Sequence, residues 1–260
     1  MGVIGGPLGY HVLRFISSRT GSLCLRESPA GNLAGPNKSK LEKHWGHRVW
    51  DEFAGKVVID FGCGFGTEAI EIARRGAIHV IGVDNRESVL EVARENAKKA
   101  GVSELCEFDT NANCSADVIL SLDAFEHFED PEGIMNLMRS VVKPGGKIIA
   151  SFGPPWYHPY GGHLFSVFPW AHLIFTEACL IRWRSDFKCD GATRFAEVDG
   201  GLNQMTVRRF KKIVARSNLR IESLELVPIK NINLLCNMSV LVSEFFASII
   251  RCRLVRDQKQ

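Results

Sequence analysis

Between residues 57 and 152 the chain alternates short apolar runs with stretches whose apolar residues recur at helical spacing. The apolar runs predict strands at Val57–Asp60, His79–Val83, Leu105–Phe108, Asp117–Ser121 and Lys147–Phe152. Between them, Ala69, Ile70, Ile72 and Ala73 share one helical face, with Gly76 as the stop. Val89, Ala93, Asn96/Ala97 and Ala100 share another, capped by Gly101. Asp130-Pro131 opens a third helix with proline at its first position. Its predicted buried stripe is Ile134, Leu137, Met138 and Val141, and Lys143-Pro144-Gly145-Gly146 closes it. Strand and helix in strict alternation imply a parallel sheet.

The flanks read differently. Residues 1–40 are rich in Gly, Ser, Pro and Asn and predict a loosely ordered segment with a short helix at Tyr10–Ile16. Leu41–Phe53 predicts a helix leading into the core, so that residues 41–260 form one α/β domain. Near the end, Thr206 is the expected N-cap of a helix burying Val207, Phe210, Ile213 and Val214. A strand at Arg220–Val227, an apolar helix over Ile232–Phe246 and a strand at Ile249–Val255 complete the pattern.

The alternation breaks after residue 152. Residues 152–195 hold 11 of the chain's 24 aromatic residues, with four prolines and three histidines, which marks about 153–205 as an inserted aromatic-rich cap. Apolar walls with few polar groups are typical of small-molecule sites, and Trp156, Tyr157, His158 and Tyr160 are the candidate substrate pocket. Pro169–Trp183 is apolar nearly all round and too short to span a bilayer; resting on a membrane surface would suit a lipophilic acceptor.

The first strand runs directly into Gly62, Gly64 and Gly66, a turn in which glycine permits close approach of a ligand to the backbone. The second strand ends at Asp84, 18 residues beyond Gly66, where a carboxylate can accept both hydroxyl protons of a ribose. A dinucleotide fingerprint would place its third glycine at 67, which is threonine here. The unit therefore points to a nucleoside ligand other than NAD.

With these motifs in hand, residues 57–152 resemble the core of class I S-adenosylmethionine-dependent methyltransferases, most closely the broad group that includes quinone-biosynthesis and sugar methyltransferases. VIDFGCGFG, VIGVDNRES, ADVILSLDAFEHFEDP and VVKPGGKIIASF carry the likeness, in order and at the right spacing. The resemblance implies a Rossmann-like seven-stranded sheet with helices on both faces and an antiparallel last strand. It also implies S-adenosylmethionine as cofactor. Asp60 would hold the methionine ammonium, with Gly62, Cys63, Gly64 and Gly66 as the cofactor-facing turn. Asp84 would bind ribose, Asn85 would lie near the adenine, and Asp109 and Thr110 would bond the ring. Ser121, Leu122 and Asp123 end the fourth strand at the switch-point crevice, where one of them, with Ser121 the candidate, should touch the methionine portion. Asp117, which opens that strand, reads as structural.

Net charge is +3 with no basic run, which argues against nucleic acid as partner. None of the eight cysteines forms a CxxC pair, and no Asp…Asp-Asn set stands outside the cofactor motifs, so no metal is expected. Cysteine usage, with no apolar span or signal peptide in view, indicates a reducing cytoplasm. The candidate proton acceptors are His163, beside Gly161-Gly162, and then His127 in the Glu126-His127 pair, with His158 behind them. The expected activity is methyl transfer to a small-molecule hydroxyl. The rivals are a methyltransferase-like binding protein without turnover and an NAD-dependent oxidoreductase, and the oligomeric state is open.

Overall fold

A computed structural model describes residues 2–19, 39–198, 200–229 and 240–257. Seven strands form one sheet: β1 (Val57–Phe61), β2 (His79–Val83), β3 (Cys106–Asp109), β4 (Ala116–Leu122), β5 (Val142–Phe152), β6 (Arg220–Pro228) and β7 (Ala247–Val255). Their order across the sheet is β3-β2-β1-β4-β5-β7-β6. The first five are parallel, and β7 runs antiparallel between β5 and β6. The chain leaves β1 towards β2 and returns on the other side to β4. Such a switch point opens a crevice at the carboxyl ends of the strands.

Helices cover both faces. On one, α3 (Thr67–Arg74) and α4 (Glu87–Lys99) pack Ile70, Ile72, Leu90 and Ala93 against Val58, Val80 and Leu120. On the other, α5 (Pro131–Val141) and α8 (Val207–Arg216) pack Met135, Met138, Phe210 and Val214 against Ile59, Ile119 and Ile148. The caps follow the local chemistry. Asp130 accepts the Gly133 amide at 2.9 Å and Thr206 accepts that of Arg209 at 3.0 Å. All four residues predicted to be buried on α8 are buried.

Several expectations are corrected. The buried positions of α4 are Leu90, Ala93 and Ala97, with Val89 only half-buried, and Leu137 of α5 is 38% exposed while Met135 is buried. The rest of each stripe lies as expected: Ala93 and Ala97 of α4 and Met138 of α5 are buried, and Ile134 and Val141 pack against the core. The helix predicted over Leu41–Phe53 is split into α2 (Lys40–Trp45) and a 3-10 helix (His47–Glu52) at Gly46, whose φ of 77° ends the α-helix. The N-terminal segment is not loosely ordered throughout: α1 (Gly6–Arg19) buries Leu13 and Tyr10 against the inserted segment. Residues 20–38, and 230–239 of the predicted apolar helix, lie outside the described residues; α9 covers Val240–Phe246.

The insertion contains two short helices, α6 (Ala171–Ile174) and α7 (Glu177–Arg184), and two 3-10 turns. It has its own apolar core, in which Phe165, Phe175, Leu180, Trp183 and Phe195 meet Leu13 of α1. The apolar side chains of Pro169–Trp183 are thus largely spent on internal packing rather than on a membrane-facing surface. No helix among the described residues is long and apolar enough to cross a membrane.

Candidate active site

The carboxyl ends of β1, β2, β3 and β4 bring the predicted cofactor residues to one edge. Registers Phe61↔Val83 and Val83↔Asp109 set Gly62, Asp84 and Asp109 side by side. The turn is closed by the amides of Gly62 and Cys63, which donate to the Val83 carbonyl at 2.8 and 3.1 Å. Gly62 sits at φ 77°, and a Cβ there would stand 2.6 Å from the Cβ of Ala124, so only glycine lets the turn meet the loop after β4. Gly64, at φ 52°, has open space where its side chain would be. The Cys63 thiol is buried and contacts the Gly64 carbonyl at 3.6 Å; burial pushes its pKa up, which makes it an inert part of the turn.

Asp60 is buried at the end of β1, and its Oδ2 has no hydrogen-bond partner among the described residues. Burial, with Glu68 and Asp84 nearby, raises its pKa well above the carboxylate range. Ser121 Oγ, fully buried at the end of β4, also lacks a partner. Such orphaned groups call for a ligand with donors. Asp84 accepts the Gly64 amide at 3.2 Å and is forked by Arg86. Asp109 Oδ1 accepts the Asn111 amide at 2.9 Å, and Asn85 and Thr110 lie exposed beside this edge. Asp117 accepts Val57 N at 2.9 Å and Lys143 Nζ at 2.8 Å, a structural role at the opposite end of β4. A polar cavity of about 360 Å³ lies there too; Lys143 and Lys147, which line it, pair with Asp117 and Glu52.

Beyond Ser121 the chain turns through Asp123, in left-handed conformation at φ 49°, and presents Glu126 and His127. Glu126 is 2% exposed; its Oε1 accepts the Gly153 amide at 3.1 Å and its Oε2 has no partner. Burial raises its pKa to about 8. His127 Nδ1 donates to the Gly201 carbonyl at 2.8 Å, which leaves Nε2 as the acceptor nitrogen of the neutral ring. His163, itself left-handed at φ 50°, sets its ring 5.3 Å from that of His127. Its Nε2 is buried without a partner, and burial, then the neighbouring His127, lowers its pKa to about 4. One ligand atom from each of Glu126, His127 and His163 lies within 4.8 Å of the others. Sequence reasoning named both histidines but not this meeting, because 36 residues separate them and the insertion's own core decides where His163 points.

The predicted pocket residues divide. The Trp156 ring packs on His172 and Phe195, at 4.7 and 5.6 Å, and belongs to the insertion's core. Tyr157 stacks on Phe245 at 5.3 Å. His158 accepts the Tyr160 amide at 3.0 Å in a local turn, and Tyr160 is 51% exposed. The first two make ring contacts while staying half-buried; large rings are the insertion's main apolar resource. Residues that sequence reasoning passed over include Lys40, which pairs with Asp123 at 3.2 Å, and His44, whose Nδ1 meets Ser151 Oγ at 3.1 Å. Their i, i+4 spacing before the first strand was the available signal.

Residues 52–153 match the model of a methyltransferase domain family. The ubiquinone biosynthesis O-methyltransferase of Hahella chejuensis is 38% identical over 106 residues, 37% of this chain and 43% of that protein. The chain thus spans under half the length of the curated relatives it matches. Among solved structures, the (4+2)-cyclase SpnF superposes with a TM-score of 0.55 at 15% identity, covering 99% of both chains. Magnesium protoporphyrin IX methyltransferase of Synechocystis, solved with S-adenosylhomocysteine, gives 0.51 at 16% identity, covering 96% of this chain and all of that one. Residues 52–153 thus resemble a methyltransferase domain, and the whole chain shares the fold of solved S-adenosylmethionine-dependent methyltransferases. A cyclase on a similar fold is a reminder that activity rests on the site.

Proposed function

We propose that this protein is an S-adenosylmethionine-dependent methyltransferase acting on a small, lipophilic acceptor at a hydroxyl oxygen. One observation carries the reading. Three buried polar atoms without partners among the described residues, on Asp60, Ser121 and Glu126, stand at or just beyond the carboxyl ends of β1 and β4, next to the glycine turn and the histidine pair. The relatives' name, an O-methyltransferase, supports oxygen as the acceptor atom. The unbridged thiols of the six described cysteines support a cytoplasmic setting.

The cofactor supplies an activated methyl group on a sulfonium. Asp60 would hold its ammonium, Asp84 its ribose, and Asp109, Thr110 and Asn85 the adenine. With the cofactor bound, His163, neutral at working pH with an unpartnered Nε2, would take the acceptor's hydroxyl proton while the methyl carbon exchanges its bond to the sulfonium sulfur, which leaves as a neutral thioether, for one to the oxygen. His127, its tautomer set by Gly201, stands beside it. The same three side chains, Glu126, His127 and His163, also have the composition of a divalent-cation site. The expectation of no metal did not weigh a set assembled across the insertion. A cation held there would lower the pKa of an acceptor hydroxyl.

Calorimetry with S-adenosylmethionine, S-adenosylhomocysteine and NAD tests the cofactor: the first two should bind and NAD should not. Methyl transfer to phenolic and catecholic acceptors, with and without a chelator, tests the rest. Transfer abolished by chelator and restored by Mg²⁺ or Zn²⁺ favours the cation. Cofactor binding with no transfer to any acceptor would favour the non-catalytic rival.

A further inference from the structure

Asp84 is saturated. Its Oδ1 accepts Arg86 N at 3.1 Å and Arg86 Nε at 3.0 Å; its Oδ2 accepts Gly64 N at 3.2 Å and Arg86 Nη2 at 3.2 Å. An ionised carboxylate has about four acceptor positions, and four donors fill them. Its side chain is 6% exposed, so there is little room for a fifth.

The four donors are of two kinds. The Gly64 and Arg86 amides belong to the glycine turn and to the start of α4, and they cannot leave without dismantling the cradle. The guanidinium sits on a side chain that is 51% exposed and can swing away. Backbone donors thus take one position on each oxygen, and the fork of Arg86 takes the other. A ribose needs the same pair, one hydroxyl proton to each oxygen.

We propose that Arg86 is an internal competitor for the ribose diol: its fork occupies the two positions that a bound nucleoside would use, and binding exchanges one for the other. This rests on Asp84 as the ribose ligand. The device sets affinity and selectivity together. A ligand with both hydroxyls replaces both displaced bonds. One lacking them leaves a buried carboxylate half-satisfied once Arg86 has gone, or must bind with Arg86 in place. The half-exposed guanidinium regains water when it leaves, so the exchange remains easy for a ligand that refills both positions on Asp84.

The test is calorimetry of S-adenosylhomocysteine, adenosine and 2′,3′-dideoxyadenosine against wild type, Arg86→Ala and Arg86→Lys. Arg86→Ala keeps the backbone donor and should tighten binding of the two diol ligands by up to about fivefold. Dideoxyadenosine should show no such gain, and Arg86→Lys, which cannot fork, should fall between. Added salt should tighten wild-type binding of S-adenosylhomocysteine by screening the pair, a trend absent from Arg86→Ala. Equal or weaker diol binding in Arg86→Ala, or an equal gain for dideoxyadenosine, overturns the proposal. If neither wild type nor variant binds S-adenosylhomocysteine while both melt normally, the ribose reading falls and takes the proposal with it.

Discussion

The sheet and the insertion at 153–205 solve the same packing problem in different ways. In the sheet, consecutive strand residues such as Val58 and Ile59, or Ile119 and Leu120, are buried by helices on both faces, and the parallel strands β1 to β5 deliver their last residues to one common edge. The insertion has helices of four and eight residues and an apolar core that includes Leu13 from the far end of the chain. It also buries His158 and His172 and half-buries His163, each held near pKa 4 by burial first. The cofactor side is therefore built on regular backbone pairing. The proposed acceptor side depends on aromatic packing and on histidines whose pKa burial lowers.

The largest test of that contrast is His163→Ala. If the insertion supplies the base, turnover should fall by about 10²–10⁴-fold with S-adenosylhomocysteine affinity nearly unchanged; steady-state rates and calorimetry on one preparation decide it. Wild-type turnover would leave alignment and desolvation as the mechanism.

Next comes Phe165→Ala, which empties a fully buried position in the insertion's core. Such truncations cost about 3–5 kcal/mol. Hydrogen exchange should accelerate across 153–205 while β1 and β4 keep their protection. Equal loss in both regions would show a single cooperative unit.

On the other side of the comparison, Asp84→Ala removes charge-assisted bonds worth about 1.5–3 kcal/mol each. Affinity for S-adenosylmethionine should fall about tenfold or more, with exchange in the insertion unaltered. Unchanged affinity in a folded variant would remove the ribose assignment.

The smallest effect is a graded response to acid. The histidines at 158, 163 and 172 drop from an ordinary 6.5 to about 4, so between these values the unfolded chain binds more protons than the folded one. Their stabilising contribution is complete above about pH 6.5 and is lost as pH falls towards 4. Glu126, raised from 4.5 to about 8, acts oppositely, and its contribution declines as pH rises through that window. Exchange corrected for intrinsic rate should show the insertion opening before the sheet at pH 4.5. Simultaneous opening would mean that the histidines are not what limits it.

How much was legible in the sequence depended on range. The sheet, its crevice and the row Asp60, Gly62, Gly64, Gly66, Asp84 and Asp109 could be read directly, because strand period and glycine turns are local properties and parallel strands align their ends. One position in each of α4 and α5 was read wrongly, Val89 for Leu90 and Leu137 for Met135, since neighbouring apolar residues at the edge of a helical stripe fit the spacing nearly equally well. Only packing against the sheet chose between them. Gly46 as a helix break was visible but indistinguishable from a tolerated glycine. The meeting of His127 with His163, the packing of Trp156 on His172 and Phe195 and the fork of Arg86 on Asp84 were decided by tertiary structure alone. Each depends on which residues distant in the chain, or which of several rotamers, win a shared space, and periodicity along the chain does not encode that.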